Sequence, residues 1–279
     1  MEQIITLADL RLARARLAAP VGLIPTMGYL HAGHLSLVQA ARAQCASTVA
    51  SIFVNPTQFG PQEDLGAYPR DLARDLDLLA KEGVDLVWTP TRELMYPADF
   101  QTWVTVEEVT KPLEGKMRPG HFKGVTTVVA KLFNAVQPDK AFFGQKDAQQ
   151  AVVIRQMVRD LNFNLEVIVC PIVREVDGLA MSSRNVYLNP DQRQAATVLN
   201  RALRAAQSAY ATGERNAQSL RQIMSNTLQR QPLAQTQYVS CADPDTLAEL
   251  DGLIPGRALL SMAVYVGNTR LIDNILIGS

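Results

Sequence analysis

The stretch that decides the fold is VGLIPTMGYLHAGH, residues 21–34. Its first six residues are a short apolar run, as in a buried parallel strand, and the glycine-containing turn after them ends that strand. Apolar residues then recur at helical spacing from Leu35 to Cys45. Residues 47–54 form the next apolar run, which an Asn-Pro pair stops. These pieces predict a βαβ unit with a right-handed crossover.

Strand-like and helix-like segments continue to alternate over the first two thirds of the chain. Further helices are predicted near residues 71–82, 125–136 and 147–161, and further strands at residues 84–88, 140–143 and 165–173. This repeated alternation predicts an α/β domain with an open parallel sheet covered by helices.

The pattern changes near Asp177. Asn189 has the character of an N-cap, with proline next and glutamine three residues after the cap, so one long helix is predicted to end before Gly213. A second helix at 217–229 and strands at 236–241, 257–265 and 270–276 are predicted to follow. The sequence therefore predicts two domains, residues 1–176 and a smaller α+β domain of residues 177–279.

Composition narrows the class of protein. Twenty-seven basic residues balance twenty-seven acidic ones, which argues against nucleic acid as a partner because its binders carry a basic patch or stripe. No run of eighteen apolar residues and no signal-peptide pattern is present, which predicts a cytoplasmic protein without a membrane partner. The three cysteines are isolated, so they form neither a zinc knuckle nor a redox pair.

Polar, ligand-type residues follow three of the predicted strands. They are the turn at residues 25–34, the NPTQ stretch at residues 55–58 and the GQKD stretch at residues 144–147. Ligands of open parallel sheets bind outside the carboxyl ends of the strands. This convergence predicts a binding site at that edge of the sheet.

The HAGH stretch, residues 31–34, suits a phosphate group. If it opens a helix, its two imidazoles lie on one side, beside the N–H groups that a helix start leaves unpaired. Gly28 and Gly33 let a nucleotide approach the backbone closely. A zinc site would need a third ligand, and the remaining histidine, His121, is far along the chain. Two packed structural histidines are the alternative interpretation.

Two further segments offer charge for a nucleotide. Lys146 and Gln150 are four residues apart and Asp147 and Gln150 three, so one side of a helix gathers a cation and hydrogen-bonding groups. The MSSR stretch, residues 181–184, supplies two hydroxyls and a guanidinium that could neutralise a leaving pyrophosphate. Taken singly, the first segment fits a solvated helix start better than a nucleotide site, and the second fits a plain linker better.

These residues resemble a known family. HAGH resembles the HxGH signature of the nucleotidyltransferase-like α/β superfamily, and MSSR resembles a shortened KMSKS loop of its class I aminoacyl-tRNA synthetases. Six strings in order resemble the pantothenate synthetase family, the pantoate–β-alanine ligases: PTMGYLHAGHLSLV, SIFVNPTQF, YPR, RPGHFKGV, FFGQKD and MSSRN. The resemblance runs from about Gly22 to residues 269–277.

The resemblance implies a Rossmann-like ATP-binding domain, a smaller C-terminal domain that acts as a lid, and a homodimer. It also implies a reaction in two steps. Pantoate attacks the α-phosphorus of Mg–ATP to give pantoyl-adenylate and pyrophosphate, and β-alanine then gives pantothenate and AMP. The sequence assigns no Mg²⁺ ligand beyond the candidate Asp75.

Site residues are carried over by motif position. The resemblance assigns catalytic roles to His31, His34, Lys146, Ser182, Ser183 and Arg184, with His34 as proton donor and phosphate ligand. It assigns ATP contacts to Met27, Gly28, Tyr29, Leu30, His31, Ala32, Gly33, His34, Gly144, Gln145, Lys146, Asp147, Val173, Met181, Ser182, Ser183 and Arg184. It assigns pantoate and β-alanine contacts to Asn55, Gln58 and Gln150. Position 145 is glutamine where many members have glutamate, a harmless change if the contact is through the backbone.

Three alternatives remain at this stage. One is another adenylyl- or cytidylyltransferase of the superfamily, acting on a phosphate. A tRNA-charging enzyme is a second, although neither an anticodon domain nor a basic surface is evident. The third is a non-catalytic nucleotide sensor, against which the intact set of histidines, lysine and arginine argues.

Overall fold

A computed structural model describes residues 1–61 and 63–278. The chain divides into two compact units. The first unit comprises Met1–Gln145 and Val153–Pro171, and the second comprises Lys146–Val152 and Ile172–Ser279. The functional division predicted between residues 176 and 177 stays a prediction.

The first unit is built on a parallel sheet. Over residues 1–61 and 63–278, its six strands are β1 Glu2–Ile4, β2 Val21–Thr26, β3 Ser47–Ile52, β4 Leu86–Trp88, β5 Lys140–Gly144 and β6 Glu166–Cys170. Their order is β1-β4-β3-β2-β5-β6, and each pair is parallel. The order reverses between β2 and β5, and ligands of such sheets bind beyond the carboxyl ends of the strands at this switch point. The loops after β2 and β5 therefore begin where a ligand is expected.

Helices cover the sheet, and their bounds are α1 Leu7–Arg14, α2 Ala32–Arg42, α3 Leu72–Lys81, α4 Arg92–Met95, α5 Glu114–Met117, α6 His121–Val136 and α7 Ala148–Asp160. Successive strand residues point to opposite faces. Leu23 accordingly lies in one hydrophobic core with Phe133 of α6, and Ile24 lies in a second core with Val38 of α2. Apolar burial on both faces confirms the predicted α/β class.

The predicted boundaries differ from the structure at several elements. β1 and α1 were not predicted, because a strand of three residues carries too little pattern. α6 begins four residues earlier than predicted, directly after Gly120, which has a φ of 84°. β6 ends at Cys170, before the predicted end at residue 173.

The second unit contains an antiparallel sheet, which in the described residues has three strands in the order β7 Ala234–Ala242, β8 Ala258–Val266 and β9 Thr269–Ile277. Its helices are α8 Pro190–Ala195, α9 Val198–Ala211 and α10 Ala217–Gln229. Buried residues of α9, α10 and all three strands form one core. This arrangement confirms the predicted smaller α+β part.

The single long helix predicted after Asn189 is wrong, since the chain forms α8 and α9 instead. The predicted N-terminal signal is present, because Asn189 and Gln192 form a reciprocal capping box. The break comes at Thr197, whose hydroxyl donates to the Gln194 carbonyl oxygen at 2.8 Å. There the Thr197 N–H donates to the Gln194 carbonyl oxygen at 3.3 Å, only three residues back, so the i→i−4 pattern of the helix is interrupted.

Among residues 1–61 and 63–278, no helix combines the length and apolar character needed to cross a membrane.

Candidate functional site

The turn after β2 is held in shape by two residues of α3. Gly28 and Tyr29 have φ values of 83° and 51°, a region that glycine adopts readily and other residues rarely. Asp75 accepts hydrogen bonds from the N–H groups of Tyr29 and Leu30, at 2.6 and 2.7 Å. Arg74 donates to the Leu30 carbonyl oxygen at 3.0 Å. The predicted nucleotide loop is therefore anchored from its own unit.

Asp75 serves this loop. Its side chain is 1% exposed. Burial raises the pKa of the carboxyl above 3.8, and the N–H groups of Leu30 and Tyr29 offset only part of that rise. The sequence offered Asp75 as a candidate Mg²⁺ ligand, but both of its oxygens accept backbone N–H groups. We therefore assign Asp75 to the loop.

Replacing Asp75 with asparagine is expected to destabilise the loop. An amide keeps one acceptor oxygen but turns an NH₂ group toward a second backbone donor, leaving a buried N–H unsatisfied at about 1–3 kcal/mol. Urea unfolding of Asp75→Asn should show this loss of free energy. Asp71→Asn is the matched control, because Asp71 caps the same helix and asparagine caps equally well. Equal stability of the two variants would contradict the assignment.

The stability difference between the wild type and Asp75→Asn is also expected to depend on pH. Because the folded-state pKa of Asp75 is raised, the folded protein binds more protons than the unfolded chain between pH 3.8 and that raised pKa. The stability contributed by this group is present below pH 3.8 and is lost as the pH rises through the raised pKa. The stability advantage of the wild type over Asp75→Asn should therefore shrink across that window, measured by unfolding at each pH.

Two imidazoles cap the start of α2. His31 Nδ1 accepts from the Gly33 N–H at 3.1 Å, and His34 Nδ1 accepts from the His31 N–H at 3.3 Å. The ring centroids are 4.1 Å apart. A backbone N–H can only donate, so in the neutral rings the proton sits on Nε2. The predicted helix start with paired imidazoles is confirmed.

The expectation that phosphate would meet unpaired N–H groups at this helix start needs correction. Two backbone donors, those of Gly33 and His31, are taken by the rings. Histidine at the cap position accepts hydrogen bonds much as asparagine or serine does. The chemistry offered to an anion at this point is therefore imidazole Nε2–H in place of those two N–H groups.

A buried amide organises the turn after β3, the 3₁₀ helix Pro56–Gln58. Asn55 is 1% exposed and caps this turn. Its Nδ2 donates to the Gln58 Oε1 at 3.0 Å and to the Gly124 carbonyl oxygen at 3.1 Å, and its Oδ1 accepts from the Tyr96 hydroxyl at 2.9 Å. The predicted pair of substrate residues, Asn55 and Gln58, is thus in direct contact.

Close approach of α6 to this turn requires a glycine. A Cβ added at Gly124 would lie 2.3 Å from the Thr57 carbonyl oxygen, a clash that a small backbone shift does not relieve. On the other side, Gln58 Nε2 donates to Met27 Sδ at 3.1 Å. Gln58 therefore contacts the predicted nucleotide loop through its side chain.

In the second unit, Lys146 belongs to the 3₁₀ helix Gln145–Asp147, which follows β5 and Gly144. Lys146 Nζ lies 3.7 Å from Asp147 Oδ1. Asn274 of β9 donates from Nδ2 to the Lys146 carbonyl oxygen at 2.9 Å. α7 begins at Ala148, slightly later than predicted, and Gln150 lies in its first turn.

The remaining predicted nucleotide residues lie on one hairpin and the turn after it. The Met181 N–H donates to the Val173 carbonyl oxygen at 3.0 Å, which brings these two predicted residues together. Ser182 caps the 3₁₀ helix Ser183–Tyr187 and accepts from the Arg184 N–H at 3.3 Å. The serine and arginine side chains of the MSSR stretch thus start from one short, capped turn.

One strand, β9, contacts all of these segments of the second unit. Asn274 holds the Lys146 backbone, and β9 packs against the 3₁₀ helix Ser183–Tyr187. Asp273, 1% exposed, accepts two hydrogen bonds from Arg174, the neighbour of Val173, at 2.7 and 2.9 Å. β9 is therefore their shared support.

Comparison with known proteins identifies the family. The Pantoate-beta-alanine ligase family profile matches residues 2–276 of this chain. The chain belongs to the pantoate–β-alanine ligase family. It is therefore an enzyme of the ligase class.

Relatives of this family are similar over their whole length. The pantothenate synthetases of Herpetosiphon aurantiacus and Chloroflexus aggregans are each 60% identical, over 99% of this chain and 100% of theirs. Pantothenate synthetase from Thermus thermophilus superimposes with a TM-score of 0.94 at 49% identity, covering 99% of both chains. Pantoate-beta-alanine ligase from Francisella tularensis, solved with beta-gamma ATP and beta-alanine, gives 0.82 at 34%, covering 99% of this chain and 97% of its own.

The structure also shows two supporting roles that the sequence did not reveal. Asp75 and Asn274 hold predicted site residues, yet each is distant in sequence from its partner and no local pattern marks either one. Arg118 and His121 lie in the RPGHFKGV string, which contributed to the family resemblance without assigning a role to either residue.

Proposed function

We propose that this chain catalyses the ATP-dependent ligation of (R)-pantoate and β-alanine to pantothenate through a pantoyl-adenylate, releasing AMP and pyrophosphate. Family membership over nearly the whole chain supports this reaction. The structural observation that carries it is the switch point between β2 and β5, where the histidine loop and the GQKD turn both begin. The Francisella relative solved with ATP and β-alanine supports the same substrates.

Nucleotide binding is assigned to the residues that the family resemblance names. The loop of residues 27–34 and Gly144–Gln145 contact ATP, and His31 and His34 donate Nε2–H groups to its phosphates. The same assignment covers Lys146, Asp147, Val173, Met181, Ser182, Ser183 and Arg184. A cationic and N–H-rich surrounding is what the charge of a pentavalent phosphorus requires.

The acid substrates are assigned to Gln58 and Gln150, with Asn55 holding Gln58 in place. An amide can donate to the pantoate carboxylate and accept from its hydroxyl groups. The same Gln58 amide serves β-alanine in the second step. The hydrogen bond between the buried Asn55 and Gln58 supports this role, because it fixes which face of the Gln58 amide is available.

The chemistry needs positioning and charge stabilisation, and no covalent enzyme intermediate. A carboxylate oxygen of pantoate attacks the α-phosphorus, and the bond to the bridging oxygen of pyrophosphate breaks. The amine of β-alanine then attacks the acyl carbon, the carbon–oxygen bond to AMP breaks, and the amine loses a proton. His34, as proton donor, stabilises the phosphate oxygens that gain charge.

Magnesium accompanies the nucleotide in this proposal. Among the described residues, no group of three His, Cys, Asp or Glu side chains could hold a metal ion. Asp75 is committed to the loop and Asp147 lies beside Lys146. Mg²⁺ characteristically binds through substrate phosphates with few protein ligands, where it neutralises their charge. The donor set therefore fits Mg²⁺ carried on ATP, without a dedicated protein cage.

Higher-order features complete the proposal. Residues 1–176 bind ATP and pantoate, and residues 177–279 act as a lid and as part of a homodimer, in the cytoplasm. A closing lid would protect the water-sensitive acyl-adenylate from hydrolysis. Sedimentation of the purified chain tests the dimer.

The test of the reaction is pantoate-dependent exchange between ATP and labelled pyrophosphate in the absence of β-alanine. Formation of pantoyl-adenylate is reversible, so exchange should require pantoate, and AMP should accumulate once β-alanine is added. An exchange rate that is the same with and without pantoate would favour another adenylyltransferase. ATP binding with no AMP formed from pantoate and β-alanine would indicate a nucleotide sensor.

A further inference from the structure

A half-buried ion pair lies next to the predicted substrate residue Gln58. Arg118 follows α5, and its Nε and one terminal nitrogen donate to the two carboxylate oxygens of Glu63 at 2.7 and 2.6 Å. Their side chains are 14% and 25% exposed, and Glu114 lies 3.8 Å from the guanidinium. A bidentate pair fixes the plane of the guanidinium as well as its position.

The fixed guanidinium selects one tautomer of His121. The other terminal nitrogen of Arg118 lies 3.2 Å from His121 Nε2. Arginine has donors and no acceptor, so Nε2 must accept and the ring proton must sit on Nδ1. His121 Nδ1 lies 2.8 Å from the Gln58 carbonyl oxygen and therefore donates to it. Arg118 also donates to that carbonyl, at 3.4 Å.

The charged surroundings keep this ring neutral. Burial first, and the Arg118 charge second, lower the pKa of His121 to about 4. The groups that face the ring are Arg118, Glu63 and Glu114, and the two carboxylates only partly offset these effects. At neutral pH the hydrogen-bond directions are therefore fixed from Glu63 through Arg118 and His121 to Gln58.

We infer that Arg118 and His121 are positioning residues for Gln58, which they hold by its backbone while Asn55 and Met27 hold its side chain. The inference rests on the proposed function, in which Gln58 binds pantoate and then β-alanine. A side chain held ready before binding loses less conformational freedom when the substrate arrives. Loss of the network is therefore expected to raise KM for the acid substrates more than KM for ATP.

Two substitutions at His121 test this division. Phenylalanine keeps the ring shape and removes both nitrogens, and His121→Phe is expected to raise KM for pantoate and β-alanine ~10-fold, the size of one lost hydrogen bond. KM for ATP should not change. Asparagine presents an N–H where the imidazole has Nδ1–H, so His121→Asn should recover most of the affinity for both acids.

A spectroscopic test follows the tautomer itself. Nitrogen–proton correlation spectra of the wild type should show one neutral ring in the Nδ1–H form that disappears in His121→Asn. In Arg118→Met the pKa of this ring should rise from about 4, because the neighbouring positive charge is removed, and KM for pantoate should rise with it. Lys111→Met is the matched control, an exposed cation paired with Glu108 on the preceding segment, and should change none of these values.

The possible outcomes distinguish a failure of the proposed function from a failure of the inference about Arg118 and His121. A wild-type chain without pantoate-dependent exchange rejects the proposed function itself. Normal exchange, with KM for ATP raised as much as KM for pantoate in His121→Phe, means a purely structural role and overturns the inference. His121→Asn behaving no better than His121→Phe also overturns it. If His121→Phe fails to fold, Arg118→Met decides through the pKa of His121 and through the ratio of KM for pantoate to KM for ATP.

Discussion

Replacing Lys146 with alanine is expected to lower the rate of pantoate-dependent ATP–pyrophosphate exchange at least ~100-fold, the effect of deleting one electrostatic stabiliser from an active site. The Lys146 side chain is largely buried, near Asp147, and its backbone is held by β9. A compact ammonium in such a setting is matched to phosphate oxygens. Steady-state exchange with saturating pantoate measures the effect.

A second lysine, at the start of β5, provides the control variant. Lys140 opens β5 at its amino end, away from the carboxyl end that Lys146 follows, and pairs with Glu166 at 3.3 Å. Lys140→Ala should exchange at the wild-type rate. Lys146→Arg keeps the charge but replaces a point cation with a planar fork, so it should recover only part of the loss. Near-normal exchange in Lys146→Ala would remove Lys146 from the mechanism.

Replacing Asp273 with alanine is expected to cost about 3–5 kcal/mol of stability, the range measured when one partner of a buried ion pair is removed. Arg174 would keep a guanidinium that is 16% exposed without its carboxylate. The Asn274 N–H, which donates to Asp273 at 2.8 Å, would lose its acceptor too. Hydrogen exchange of peptides from β9 should report the loss as faster opening of that strand.

An exposed pair in the same unit provides the comparison. Arg193 donates to both oxygens of Asp177, at 2.6 and 3.2 Å, with side chains 32% and 45% exposed. Solvent screens such a pair, so Asp177→Ala should cost no more than about 1 kcal/mol. Equal losses in Asp177→Ala and Asp273→Ala would contradict the view that burial sets the cost.

Local patterns were sufficient to predict the parallel sheet and the local structure of some candidate site segments. The apolar run ending at Thr26, the HAGH stretch that opens α2 and the cap at Asn189 depend on residues within a few positions of one another. Such signals survive in a single sequence because the periodicity and the capping chemistry are local. The strand-end rule then placed separate motifs at one edge.

Contacts between residues that are far apart in sequence could not be predicted in this way. Asp75 lies 45 and 46 positions from the backbone groups it accepts, and nothing around it marks a loop anchor. The break between α8 and α9 is a change in backbone hydrogen bonding at Thr197, which composition does not show. The roles of His31 and His34 as mutual caps require knowing where the helix begins to within one residue.

The hydrogen bond from Asn274 to the Lys146 carbonyl spans 128 positions of sequence. Ribosomes add about 5–20 residues per second, so Asn274 is joined to the growing polypeptide roughly 6 to 26 s after Lys146. During that interval the ammonium group lacks the backbone support described above. Nascent chains on a polysome are therefore expected to consume ATP more slowly than the finished protein until β9 has paired with β8.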